Sequence, residues 1–178
     1  GNLHINRKFS PNAQSGIYLH ASRHSGFRDH NNDGFYDDAR ATRLNAMIRN
    51  HYSSKNWEGQ LNFQALRDKR NGGQTILENP YLSSQTIDHF NISSKIGYLG
   101  FNNPNKSIGS IWDFSFSTLD GNYGKRFGLN AIEYHALGQI IFSWTSNGDH
   151  HKFDYGPVAN LNIATETLSD QGTTNKIS

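Results

Sequence analysis

Cysteine is absent from the 178 residues, which removes thiolate metal centres, disulfide frameworks and cysteine nucleophiles. No run approaches the ~20 consecutive apolar residues that a spanning helix needs, so a helical membrane protein is excluded. Charge is also sparse: 18% of residues are charged, the formal net charge is +2, and no basic block occurs, which argues against a nucleic-acid partner. The stretch Gly1 to Phe9 has neither a basic n-region nor an apolar h-region, so the expectation is that any signal peptide has been removed or lies upstream. Hydrophobic residues make up only 34%, yet 12% of the chain is aromatic, and aromatics recurring along a nearly neutral chain do not fit disorder. The remainder is rich in small polar and amide residues, with 21 Asn, 18 Ser and 17 Gly.

Apolar residues recur with period two almost throughout, which is the signature of strands. In the segment from Trp57 to Leu66, Trp57, Leu61 and Phe63 fall on one face and Glu58, Gln60, Asn62 and Gln64 on the other. The same alternation sets Leu3, Ile5 and Phe9 against His4, Asn6 and Lys8, and Ile17, Leu19 and Ala21 against Tyr18, His20 and Ser22. Leu44, Ala46, Ile48 and Tyr52 oppose Arg43, Asn45, Arg49 and His51. Phe90, Ile92, Ile96 and Tyr98 oppose Asn91, Ser93 and Lys95, and Trp112, Phe114 and Phe116 oppose Asp113 and Ser115. Ile132, Tyr134, Ile140, Phe142 and Trp144 share a face in the seventh segment, and Phe153, Tyr155, Leu161 and Ile163 in the eighth.

Short turns are expected after odd-numbered strands, at Ser10 to Ala13, Ser53 to Asn56, Asn102 to Asn105 and Ser146 to Asp149. Long polar loops are expected after even-numbered ones, at Ser25 to Arg40, Asp68 to Thr86 and Thr118 to Gly128. Alternating short and long connections are the habit of outer-membrane barrels, with periplasmic turns and extracellular loops. The expected fold is therefore all-β: an antiparallel transmembrane β-barrel segment of about eight strands, occupying residues 1–178 as one partial barrel domain. Two alternatives stay open: a soluble β-sandwich module that stacks sugars on exposed Trp and Tyr, and a small self-closed outer-membrane barrel. Against the sandwich stand strands of roughly ten residues, longer than the usual five or six, and Tyr52, Trp57, Tyr98 and Trp144 beside the turns, as in an interfacial aromatic girdle.

Three stretches resemble the barrel region of TonB-dependent outer-membrane receptors of the Bacteroidetes type. They are Ser25-Gly26-Phe27-Arg28-Asp29-His30-Asn31-Asn32-Asp33-Gly34-Phe35-Tyr36-Asp37-Asp38 with the strand from Leu44 to Tyr52; Trp57-Glu58-Gly59-Gln60-Leu61 running to Asp68 and Gly72-Gly73-Gln74; and Tyr123-Gly124, Tyr134, Gln139 and Ile140, leading to His151-Lys152-Phe153 and Gly156. The resemblance implies a barrel of ~22 strands around a plug, taking up a scarce ligand such as an iron chelate, haem, cobalamin or a glycan. It also implies outer-membrane lipid, the plug and the remaining strands, a TonB-type energising complex and, in part of the family, a surface lipoprotein as partners. By that resemblance the chain supplies only about eight strands of a larger receptor.

Asp29, Asn31, Asp33 and Asp37 stand at the spacing D-x-N-x-D-G-x-x-D, with Gly34 at the turn, which is the first part of a calcium loop. Arg40 occupies the position where such a loop places its Glu, so a structural calcium site and a solvated Asn/Asp turn both remain open. His4, His20 and His51 lie on the polar faces of three successive strands, where imidazoles meeting across the sheet would suit a transition metal or haem iron, and hydrated luminal histidines are the plainer reading. His150-His151 reads as surface. Arg67, Lys69, Arg70, Lys125 and Arg126 are expected on extracellular loops, where they would steer an anionic ligand, although ordinary loop charge explains them too. Asp68 to Gln74 contains a Gly pair but no phosphate loop, and no nucleophile with a base or paired carboxylates is recognisable, so an enzyme is not expected. The denatured mass of the native polypeptide checks the larger-receptor expectation: several times the 20.1 kDa of this sequence is expected, and a value near 20.1 kDa would refute it.

Overall fold

A computed structural model describes the chain apart from residues 27, 76–77, 147–150, 171–172 and 178, and gives backbone alone for residues 173–177. Ten strands follow in chain order: β1 (Asn2–Ser10), β2 (Ala13–His24), β3 (Arg40–Ser53), β4 (Trp57–Gly73), β5 (Leu82–Tyr98), β6 (Lys106–Tyr123), β7 (Phe127–Thr145), β8 (Lys152–Tyr155), β9 (Val158–Asp170) and β10 (Thr173–Ile177). All belong to one antiparallel sheet in which β1 to β7 pair in chain order, β8 and β9 both pair with β7, and β10 pairs with β9. The fold is thus all-β, as expected, while the count of eight strands is corrected to ten strands in nine lanes.

β8 and β9 are one lane interrupted at Gly156-Pro157. Phe142 faces Tyr155 and Gln139 faces Val158, so the register is the same on both sides of the gap. Ile140 N–H donates to the Pro157 carbonyl at 3.1 Å, but Pro157 has no N–H to return, and the ladder breaks there. The added lane, β10, pairs Thr173 to Ile177 with Glu166 to Asp170. Its sequence, Thr-Thr-Asn-Lys-Ile, has a single apolar residue, which hides a strand from a reading based on apolar period.

The connections differ from the expected rhythm. Residues Asp68 to Gly73 and Leu82 to Thr86 are strand, so only Gln74 to Tyr81 joins β4 to β5; Thr118 to Tyr123 is also strand, and Gly124 to Arg126 joins β6 to β7. The third long loop is therefore a three-residue turn with Gly124 at φ 68°, shorter than the connection from Leu99 to Asn105 on the other end. Only the segment between β2 and β3, residues 25–39, is a long loop of the expected kind. The turn at Asn147-Gly148-Asp149 lies outside the described residues.

Register places the apolar side chains in continuous rows across the sheet. Ile5, Ile17, Ile48, Phe63, Ile92, Phe114 and Ala136 pair in succession, and next to them run Leu3, Leu19, Ala46, Ala65, Phe90, Phe116, Tyr134 and Ile163. At the turn end, Trp57, Tyr98, Ile108, Phe142 and Tyr155 form a further row. Yet no hydrophobic residue is buried among the described residues, because each strand touches only its ladder neighbours and nothing packs on either face. The alternative β-sandwich is not what forms, since its second sheet would cover this face. Nor is the sheet a self-closed barrel: β1 and β10 are its two ends and do not pair with each other.

Gly73, at φ 135°, has no room for a side chain, because a Cβ would run into the Tyr81 carbonyl. Replacing Gly73 by Ala is expected to cost about 1–3 kcal/mol and to open the β4–β5 tip. Limited proteolysis between Gln74 and Tyr81 should speed up accordingly; an unchanged rate would refute this account.

Candidate functional site

The two faces of the sheet carry different chemistry. Opposite the apolar rows, amides, hydroxyls, imidazoles and carboxylates bond across strands. Gln60 donates to Asn62 at 2.9 Å and Asn62 to Ser93 at 3.1 Å, tying β4 to β5. Asn91 Nδ2 reaches both Asp113 oxygens at 3.0 and 3.1 Å, and His135 Nδ1 stands 3.7 Å from the same carboxylate. His89 and Ser117 are 2.7 Å apart. These pairs, cross-strand except for Gln60–Asn62 within β4, consume donors and acceptors that would otherwise need water. Among the described residues one buried side-chain atom is left over: Asn45 Oδ1 has no hydrogen-bond partner there and borders a depression of about 360 Å³ shared with His4, Tyr18, His20, Met47 and Gln64.

The three histidines do not converge. His4 stacks on Tyr18 with ring centroids 4.1 Å apart, and Tyr18 also lies 5.9 Å beneath the Arg49 guanidinium. His20 bonds Asn2 at 2.6 Å and Ser22 at 3.2 Å. His51 pairs in register with Gln14 and Gln60 and stands 3.5 Å from Glu58, near the turn end, so register carries it away from His20. His151 is exposed beside β8, and His150 lies outside the described residues.

The loop end is laced together. Tyr36 N–H donates to the Gly73 carbonyl and Thr75 N–H to the Gly34 carbonyl, each at 2.8 Å, joining the 25–39 segment to the β4 tip. Lys125 Nζ donates to Asn79 at 2.9 Å and Gly124 N–H to the Leu82 carbonyl at 2.7 Å, which draws in the β6–β7 turn. Arg126 pairs with Asp170 at 2.9 Å at the far end of β9. Three hairpin tips thus form one continuous rim.

Within that rim the quartet Asp29, Asn31, Asp33 and Asp37 serves the backbone. Asp29 accepts from the Asp33 and Gly34 amides, Asn31 from Asp33, Asp33 from Phe35, and Asp37 from His30. With their oxygens turned to N–H groups, the four residues fold the loop as successive Asx turns, helped by the positive φ of Asn32 and Gly34. Asp38 stands 3.9 Å from His24 and 3.6 Å from His30. Among the described residues no group of three or more His, Asp or Glu is arranged to hold a metal ion.

Of the five cations expected on loops, Lys125 and Arg126 are in the β6–β7 turn, but Arg67, Lys69 and Arg70 are strand residues of β4. The reason is hairpin extension: β4 and β5 continue pairing past the apolar rows. Arg67 faces the apolar side and pairs with Asp88 at 3.2 Å. Arg70 faces the polar side, where it and Arg43 grip Asp68 at 3.0 and 2.6 Å. Asp68 is the one buried charged residue among the described residues and was missed as a structural centre; the three cations flanking it, Arg67, Lys69 and Arg70, are the signal that was available.

No known protein family, curated protein or solved structure matches the chain.

Asp68 stands beyond the Arg67–Asp88 row that ends the apolar band. The hydrogen bond from Arg70 lowers its pKa, opposed by burial and aided by Arg43. A carboxyl whose folded pKa is depressed adds stability above its unfolded pKa and loses it as pH falls through the folded value. Amide protection factors in β3 and β4 around Arg43 and Asp68, measured against the intrinsic exchange rate at each pH, should therefore be high at neutral pH and fall once the medium is more acidic than the ordinary carboxylate range. Both guanidinium partners are about half exposed to solvent, so screening holds the effect of Asp68→Asn to about 1 kcal/mol, or roughly fivefold in exchange. An acid dependence surviving in Asp68→Asn would contradict this assignment.

Proposed function

We propose that this chain is a segment of an outer-membrane β-barrel transport receptor, lying with its apolar face against lipid and its polar face toward the lumen. The observation that carries the reading is the set of apolar rows on one face of a single-layer sheet, interrupted by one mixed row in which Arg7, Ser15, Asn50 and Ser94 stand with Leu61 and Trp112. An apolar surface of this extent does not stay in water. The nine residues from Phe90 to Tyr98 rise about 27 Å along the strand, which at the ~40° tilt of barrel strands spans roughly 21 Å, near the ~25 Å band of such barrels. Aromatic rows flank it on both sides: Phe90, Phe116 and Tyr134 toward the rim, and Trp57, Tyr98, Phe142 and Tyr155 toward the turns. Trp57 and Tyr98 lie 4.8 Å apart, Phe142 and Tyr155 5.6 Å, and Trp144 and Phe153 5.4 Å.

Lipid leaves no unpaired backbone edge, so the open edges of this sheet require further strands. That need agrees with the resemblance to TonB-dependent receptors, in which a larger barrel closes around a plug worked by an energising complex. In that arrangement the polar face meets the plug, the laced rim faces outward and captures the ligand, an iron chelate, haem, cobalamin or a glycan, and a lipoprotein lid would sit on the same rim. Calcium at the Asp29 to Asp37 loop would stiffen the rim further, without chemistry of its own. Transport, rather than catalysis, is the activity proposed.

The chain's three tryptophans, Trp57, Trp112 and Trp144, all project from the apolar face. In reconstituted vesicles, most of their fluorescence is expected to be quenched by brominated acyl chains and little by aqueous iodide. The reverse pattern would overturn the membrane reading.

A further inference from the structure

Above the apolar band, on the same face, the ladder gathers three cations. Arg23 and Lys69 both pair with Thr42, one from each side, and Arg67 sits two residues below Lys69 on β4. Two lanes of sheet separate Arg23 from Lys69, roughly 10 Å between backbones, so long side chains from both reach a common point. Among the described residues neither Arg23 nor Lys69 has an ion-pair or hydrogen-bonded side-chain partner. The carboxylates facing the same way are Asp88, engaged with Arg67 at 3.2 Å, and Asp120, two lanes beyond Lys69 on β6. On β2 to β4 the balance is cationic.

Directly below lies an open depression of about 760 Å³, within the size range of ligand pockets. Its floor is made by the paired Ala46 and Ala65, and its walls by Leu19 and Leu44 on one side and Phe90 and Phe116 on the other, with the Arg67–Asp88 pair at its lip. Small residues here are what let the furrow exist, since adjoining rows carry Leu, Ile and Phe. An apolar furrow ending under unpaired guanidinium and ammonium groups matches one kind of molecule: an amphiphile with an acyl chain below and a phosphate above.

We propose that Arg23, Lys69 and Arg67, with the furrow over Ala46 and Ala65, form a binding site for the phosphate headgroup and one acyl chain of an anionic membrane lipid. The inference rests on the membrane reading, which fixes this face toward lipid. The Arg23 guanidinium takes phosphate oxygens in a fork, the Lys69 ammonium adds a point charge, Arg67 stands at the lip already paired with Asp88, and the furrow orders a chain that would otherwise stay fluid.

The test uses the receptor that carries this sequence, purified and placed in vesicles of phosphatidylcholine alone or of equimolar phosphatidylcholine and phosphatidylglycerol. Relative lipid affinity is read from tryptophan quenching by brominated phosphatidylglycerol against brominated phosphatidylcholine, and from phospholipid retained after detergent washing. Wild type is expected to prefer the anionic lipid, and Arg23→Gln with Lys69→Gln to lose that preference by roughly ten- to thirtyfold. Ala46→Phe, which fills the furrow and leaves the charges, should lower retention of both lipids. Lys8→Gln removes a charge from the opposite face and should change nothing. If acyl-chain quenching persists but wild type and the double variant show equal selectivity, this site is refuted while the membrane reading stands. If quenching by either brominated lipid is absent, the membrane reading falls and this site with it.

Discussion

The antiparallel ladder is the constraint on which everything else in this molecule depends. A sheet one layer thick, with no hydrophobic residue buried among the described residues, cannot draw its stability from a core of its own. Backbone hydrogen bonding holds the strands in place, and the register that it sets decides which side chains become neighbours. Net contributions of about 1 kcal/mol per hydrogen bond do not replace a core, so the apolar rows must be covered by something outside the sheet. The uncovered apolar rows and the unpaired outer edges of β1 and β10 follow from the same geometry.

That geometry also divides labour between the two ends. Near the turns, Trp57, Tyr98, Phe142, Tyr155, Trp144 and Phe153 put aromatic rings in two adjacent rows, while the loop end carries the Arg67–Asp88 row, the Asp68 clasp and the interlocked hairpin tips. Rings are suited to an apolar–polar boundary and ion pairs to water, so the two ends of the strands suit different surroundings. The polar face continues through both zones, because its Asn, Ser, Gln and His partners satisfy one another across strands.

Much of this was legible in the sequence wherever the two faces differ. From Trp57 to Leu66 one side alternates Trp, Leu and Phe with amides on the other, and the strand and its orientation follow directly. Beyond Leu66 both sides of β4 are polar, the contrast vanishes, and Arg67, Lys69 and Arg70 look like loop although pairing continues to Gly73. β10 was hidden by the same effect. Register was illegible altogether: nothing in the spacing of His20 and His51 says that Gln14, rather than His20, faces His51. Asp29 to Asp37 shows a further limit, since carboxylates at ligand spacing are equally spaced to cap a turn, and here they bond backbone amides.

The strictly sequential order of the lanes has a kinetic consequence. Apart from the β7–β9 contact, which passes over only the short β8, each lane finds its partner in the next stretch of chain. No lane waits for a distant segment, so loop-closure entropy is met one hairpin at a time and remains small for an all-β protein. Each completed hairpin presents an edge that templates the next, so the sheet can grow by zippering.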